Sequence, residues 1–175
     1  MKKVMIVAMM MVMGSAALAQ GDAISKFFTK YQNDDSFSQV TVSSKMFSLF
    51  TNMEVDNKDD QEVLNAISKL KGLRILAKEQ TRDSRDLYKE AMNMIPAKEY
   101  EELMTVRDKD KDMKFFIKES GGKISELVMV MGGNEEFMVL SLFGEIDLKQ
   151  VSKIGQKMNV DGLENLEKVK DTKKN

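Results

Sequence analysis

The clearest pattern in the chain is a set of three strand-like apolar segments in its C-terminal half. They cover residues 113–119, 124–131 and 137–143, and the glycine-containing tetrapeptides 120–123 and 132–135 separate them. Paired glycines readily adopt the positive φ angles that tight hairpin turns require. The pattern therefore predicts an antiparallel meander of three strands.

Apolar residues elsewhere recur at intervals of three and four, which is typical of amphipathic helices. Two of these segments begin with residues spaced as capping pairs, Asp59 with Glu62 and Asp147 with Gln150. The only proline, Pro96, starts another, where its missing N–H costs nothing. The predicted helices cover residues 22–32, 45–52, 59–70, 81–95, 96–106, 148–158 and 161–169.

Two further strands precede the meander. Residues 37–43 alternate and are rich in β-branched side chains, and residues 73–77 form a short apolar run. With helices before and after the strands, this order predicts an α+β fold, in which helices pack on a mostly antiparallel sheet that ends in the three-strand meander. We assign residues 20–170 to this single domain and residues 171–175 to a charged tail.

The N-terminal residues 1–19 have the pattern of a cleavable signal peptide. Lys2 and Lys3 precede an apolar stretch over residues 4–13, and an Ala-Leu-Ala tripeptide at 17–19 fits a signal peptidase site. The rival interpretation is an uncleaved anchor, but the stretch is shorter than the roughly 20 residues that a membrane-spanning helix needs. We therefore predict an exported protein, periplasmic or secreted, with no transmembrane helix after cleavage.

Composition narrows the chemistry that this chain can perform. The chain contains no histidine and no cysteine. This excludes the usual serine and cysteine triads, most zinc sites, disulfides and a lipidated N-terminal cysteine. The 27 basic and 28 acidic residues are interspersed and give a net charge of −1, which offers no footprint for nucleic acid. The sequence therefore predicts no enzyme, no catalytic residue and no cofactor.

One acidic motif resembles a calcium-binding loop. Asp108, Asp110, Asp112 and Glu119 match the first, third, fifth and twelfth positions of an EF-hand. Met113 occupies the sixth position, where the sharp turn needs glycine. We therefore interpret the segment as a solvated turn between a helix and a strand and predict no metal site.

A second motif has the spacing of penicillin-recognising enzymes. Ser120 and Lys123 are three residues apart, but that chemistry needs them one helical turn apart. Here two glycines stand between them, so we interpret the segment as a hairpin turn.

The meander is apolar on both faces of its last two strands. A sheet with one wet face alternates apolar and polar residues, so the second face must be covered by this chain's helices, by another chain or by an apolar ligand. Coverage by the helices is the ordinary arrangement in a layered α+β fold. The candidate apolar binding face consists of Leu127, Val128, Met129, Val130, Met131, Met138 and Leu140.

Four segments of the chain carry a family resemblance: 40–46 (VTVSSKM), 70–76 (LKGLRIL), 100–104 (YEELM) and 142–148 (LFGEIDL). On these segments the chain resembles the exported domain-of-unknown-function family numbered 4252, which is found mainly in Bacteroidetes. The resemblance implies secretion and a shared fold, and it implies no activity because the family has none assigned. Many relatives look like lipoproteins, and this chain departs from them because it lacks a cysteine.

Three functions remain open at this stage. The preferred hypothesis is a non-enzymatic periplasmic or envelope module that binds a partner protein or regulates an envelope process. The alternatives are a carrier of a lipid or other apolar ligand, and a carboxylate-dependent hydrolase. The sequence leaves the partner and the oligomeric state open.

The leader yields the first testable prediction. Protein isolated from the producing cells is expected to begin at Gln20, because the small residues at 17–19 form the cleavage site. N-terminal sequencing checks this, and an intact Met1 on a cytosolic species would contradict it.

Overall fold

A computed structural model describes residues 24–51, 55, 57–158 and 166, and within them the chain forms one six-stranded antiparallel sheet with helices packed on it. The strands are β1 (Ser38–Ser43), β2 (Leu70–Lys78), β3 (Glu101–Arg107), β4 (Lys111–Ser120), β5 (Lys123–Gly133) and β6 (Phe137–Ile146). The helices are α1 (Ser25–Tyr31), α2 (Ser44–Phe50), α3 (Lys58–Ser68), α4 (Ser84–Met94) and α5 (Leu148–Met158). The predicted α+β class with a mostly antiparallel sheet is confirmed.

Several predicted segments fall outside this description. They are the leader at 1–19, the helix at 161–169 apart from Leu166, and the tail at 171–175. Leu166 itself is buried at 2% exposure. None of the helices within the described residues combines the length and the apolar character needed to cross a membrane.

The sheet order is β1-β2-β6-β5-β4-β3, and the predicted meander supplies three adjacent strands of it, β6, β5 and β4. Its first hairpin turn is the predicted one, because Ser120 pairs with Lys123 and the φ angles of Gly121 and Gly122 are 61° and 76°. Two positive φ angles define the turn type that suits the twist of paired strands. The interpretation of residues 120–123 as a hairpin turn is confirmed.

The predicted helix over residues 96–106 is wrong. Only one turn follows Pro96, whose carbonyl accepts hydrogen bonds from the N–H groups of Glu99 and Tyr100, and β3 begins at the next residue. A β-bulge between Glu102 and Met104 shifts the register of β3 against β4. The extra residue breaks the strict alternation of a strand, so the apolar spacing imitated that of a helix.

The capping residue predicted for α3 is wrong, whereas the one predicted for α5 is confirmed. Asn57, not Asp59, caps α3, and its side-chain oxygen accepts a 2.7 Å hydrogen bond from the N–H of Asp60. Asp147 caps α5 as predicted, accepting from the N–H of Lys149 at 2.9 Å. The side chain of Gln150 does not complete the reciprocal pair, because it donates to Glu62.

Helices cover both faces of the sheet. We call the face of Leu127 and Met129 the first face and the face of Val128 and Val130 the second face. The described residues of α2, α3 and α5 pack on the first face through Phe47, Ile67 and Val151. The helices α1 and α4 pack on the second face, where they contribute Phe27, Phe28, Leu87 and Ala91.

Gly144 lies where β6 passes closest to the start of β2. Its φ of 139° belongs to a region that only glycine adopts without strain. A Cβ at this position would stand 2.5 Å from the carbonyl oxygen of Lys69 and 2.7 Å from the Cα of Leu70. Both contacts are with backbone, which cannot rotate away as a side chain does.

We expect Gly144→Ala to lower the free energy of unfolding by on the order of 3 kcal/mol, because it adds backbone strain and a steric clash. Urea denaturation of the purified protein measures the change. The matched control is Gly121→Asn, because position 121 has a positive φ and open space around it, and its cost should be below about 0.5 kcal/mol. Equal losses in both variants would contradict this account.

Candidate functional site

The candidate apolar binding face lies inside the protein. Six of its seven residues are at most 2% exposed, and Met138 is half-buried. The residues also divide between the two faces of the sheet. Leu127, Met129, Met131, Met138 and Leu140 lie in the first-face cluster, and Val128 and Val130 lie in the second-face cluster. The helices of this chain therefore cover these positions, and of the seven residues Met138 alone keeps part of its side chain exposed.

The second face also contains a buried carboxylate. Glu126 is 6% exposed, and its two oxygens accept hydrogen bonds from the hydroxyls of Tyr100 and Ser141. Ser141 is fully buried and lies on the neighbouring strand β6. Hydrogen bonds of this kind offset the desolvation of a buried carboxylate. These hydrogen bonds link Tyr100, at the end of the turn that follows Pro96, to the neighbouring strands β5 and β6.

The acidic segment that resembled a calcium loop connects β3 to β4. The Asp112 carboxylate accepts from Arg85 at 2.7 Å and from Arg107 at 3.1 Å. The segment is thus a turn between two strands rather than between a helix and a strand. Across the part of the chain that the structure describes, no three acidic side chains converge as a metal site requires.

The exposed apolar residues lie instead at one edge of the sheet. Among the described residues, three large hydrophobic side chains are exposed: Val40 at 48%, Met46 at 47% and Leu49 at 54%. Val40 lies on β1, and the other two lie on α2, which follows β1 directly. We call β1 together with Met46 and Leu49 the open edge surface.

Strand β1 is an edge strand without charge. It pairs with β2 on one side, and every residue except Val42 is exposed. Its sequence, SQVTVS, contains no charged residue and no proline. The outer side of an edge strand presents a row of backbone N–H and C=O groups that can pair with another strand. Natural proteins usually block such edges with lysine, proline or a bulge.

The opposite edge strand, β3, has that protection. It carries Glu101, Glu102 and Arg107 and contains the bulge described above. Glu102 pairs with Lys114 at 2.7 Å, and the hydrogen bond from Lys114, followed by that from Thr105, holds the pKa of the Glu102 carboxyl below its ordinary value. Charged side chains therefore lie along this edge. The two edges of one sheet differ in the features that oppose strand addition.

Helix α2 contacts the sheet through Phe47, the one buried side chain among those of residues 44–49. Phe47 is 8% exposed and belongs to the first-face cluster. Met46 and Leu49 lie on other sides of this seven-residue helix and face solvent. The candidate binding face predicted from the sequence did not include Val40, Met46 or Leu49. The sequence did contain a signal of exposed apolar residues, because four of the seven residues of α2 are apolar. One buried side of so short a helix cannot accommodate all four.

A comparison with protein families identifies the family of this chain. The sequence profile of a protein family, described as a domain of unknown function (DUF4252), matches residues 31–154. No curated protein and no solved structure matches the chain. The matched region includes all six strands and the open edge surface. Since the match spans well over half of the sequence, the chain belongs to the DUF4252 family.

Proposed function

We propose that this protein is an exported, non-enzymatic binding module that accepts a β-strand of a partner protein on its open edge surface. The observation that supports the proposal most directly is the uncharged edge strand β1, which carries the exposed Val40 and is followed by the exposed Met46 and Leu49 on α2. Strand addition to such an edge is an established form of peptide recognition, in which main-chain hydrogen bonds provide affinity and side-chain contacts provide specificity.

The geometry of β1 indicates what kind of strand would fit. Val40 pairs with Ile75 on β2, so its side chain belongs to the first face, whereas the neighbouring Thr41 belongs to the second. An apolar residue opposite Val40 would extend the first-face cluster over the edge. An uncharged partner strand suits this edge, because β1 offers no ion pair. We therefore infer an extended segment with alternating apolar and polar residues.

Export has separate support. The leader at 1–19 has a basic start, an apolar stretch and a small-residue cleavage pattern. Without cysteine, the fold does not depend on disulfides in an oxidising compartment. The missing imidazole and thiol groups favour binding over catalysis as the role of the exported domain.

The proposal is tested with a benzophenone side chain at Val40 in the producing cells. Irradiation should crosslink one partner protein, and mass spectrometry should map the attachment to one extended segment. Thr41→Lys in the same chain should lower the adduct yield about tenfold, because a lysine on an edge strand opposes pairing. Thr41 is exposed and lies opposite Arg74 on β2, so the like charge of this substitution should lower the free energy of unfolding by no more than about 1 kcal/mol.

The matched control is Thr105→Lys, which places the same charge on the protected edge strand β3. It should leave the adduct yield unchanged. Equal yields in the two lysine variants would overturn the proposal. An adduct formed solely with a second copy of this chain would also overturn it, because the edge would then serve self-association.

A further inference from the structure

A cleft lined by lysine side chains lies at one end of the sheet. It has a volume of about 740 Å³ and lies between α2, the start of β2, the turn between β4 and β5, and the end of β6. The charged residues that line it are Lys45, Lys69, Lys71, Lys123 and Glu145. Four positive charges and one negative charge stand out in a chain whose net charge is −1. We call this region the lysine cleft.

Two of the lysines share the single carboxylate as their ion-pair partner. Glu145 accepts from Lys123 at 2.6 Å and from Lys69 at 3.1 Å. These hydrogen bonds, that from Lys123 first, lower the pKa of the Glu145 carboxyl. A second cavity beyond Lys69 and Lys123 is bordered by further acidic residues, Glu62, Glu119 and Asp147. The positive surplus therefore lies on the side of Lys45 and Lys71.

Lys45 and Lys71 form no ion pair with any residue that the structure describes. Two hydroxyl groups accompany them, those of Ser44 and Ser120, and neither makes a hydrogen bond within the described part of the chain. Other serines of the cleft already donate to backbone carbonyls, as Ser48 does to Lys45 and Ser68 to Asn65, both at 2.7 Å. The cleft thus combines two unpaired ammonium groups with two hydroxyl donors.

We propose that the lysine cleft binds a phosphate group, carried either by a small soluble ester or by a lipid headgroup. Lysine acts on phosphate as a point charge, and hydroxyl groups add hydrogen bonds to its oxygens. A dianionic phosphate matches the surplus charge better than a single carboxylate does. The volume exceeds that of phosphate alone and falls in the range of small-molecule sites, and Leu70 and Ile124 line it with apolar surface for the rest of an ester.

The test measures binding of inorganic phosphate and of glycerol phosphate to the mature chain by NMR titration of the backbone amides. The amides of residues 44, 45, 71 and 120 should shift in a saturable way. The double variant Lys45→Gln with Lys71→Gln should weaken binding by about tenfold or more, since it removes two charge-assisted contacts. Glu145→Gln should strengthen binding about threefold, because it releases Lys69 and Lys123 from their ion pairs.

The matched control is the double variant Lys89→Gln with Lys109→Gln, which removes the same charge from two exposed lysines. Lys89 lies on α4, and Lys109 lies in the turn between β3 and β4, at the other end of β4 from Ser120. This control variant should change the affinity by less than about twofold, because salt screens distant surface charges. Thermal unfolding confirms that each variant is folded. If both double variants bind phosphate equally, the response follows overall charge and the proposal is overturned. The proposal is also overturned if no saturable shift occurs at the amides of the lysine cleft and the protein does not bind vesicles.

Vesicles distinguish the two sources of phosphate. Binding to vesicles of phosphatidylglycerol, but not to those of phosphatidylcholine, that is lost in the Lys45→Gln with Lys71→Gln variant identifies a lipid headgroup. Binding of the soluble esters alone identifies a small ligand. The readouts do not involve β1, so they are independent of the strand-binding proposal.

Discussion

The structure depends on burying a sheet whose central strands are apolar on both faces. Val128 and Val130 are as fully buried on one face as Leu127 and Met129 are on the other. A sheet of this kind is stable in water only when both faces are covered, because exposed apolar area is costly at about 25 cal/mol per Å². The helices on the two faces meet this requirement, which gives the domain three layers.

Because helices cover both faces of the sheet, the surfaces proposed for binding lie at its edge and at its end. The helices that cover the faces leave the outer side of β1 and the end of the sheet beside Lys45 and Lys71 accessible. Helix α2 takes part in both regions and in the core. Phe47 packs inward, Met46 and Leu49 belong to the open edge surface, and Ser44 and Lys45 line the lysine cleft.

The contrast between the two edges gives the open edge surface its significance. An uncharged edge strand exposes its chain to aggregation unless something covers it, and β3 shows that this same fold can protect an edge with charge and a bulge. The buried carboxylate of Glu126, by comparison, is explained by the hydroxyls of Tyr100 and Ser141 that satisfy it. Its hydrogen bond with Tyr100 supports the packing of the turn before β3.

Local pattern was sufficient where one strand follows the next through a short turn. The meander, the turn at Gly121 and Gly122, and the division of β5 between two faces were predictable, because alternation and glycine act over a few residues. The leader pattern is local in the same way and stays a prediction.

The tertiary structure decided the rest. The bulge interrupts the alternation of apolar and polar residues in β3, so the sequence of this strand resembles that of a helix. Its strand conformation depends on pairing with β4, which lies outside the local sequence. The exposure of Val40, Met46 and Leu49 depends on which strand becomes the edge, and the lysine cleft joins residues from 44 to 145. Burial and charge clustering arise from contacts between distant segments, and no local pattern of residues contains that information.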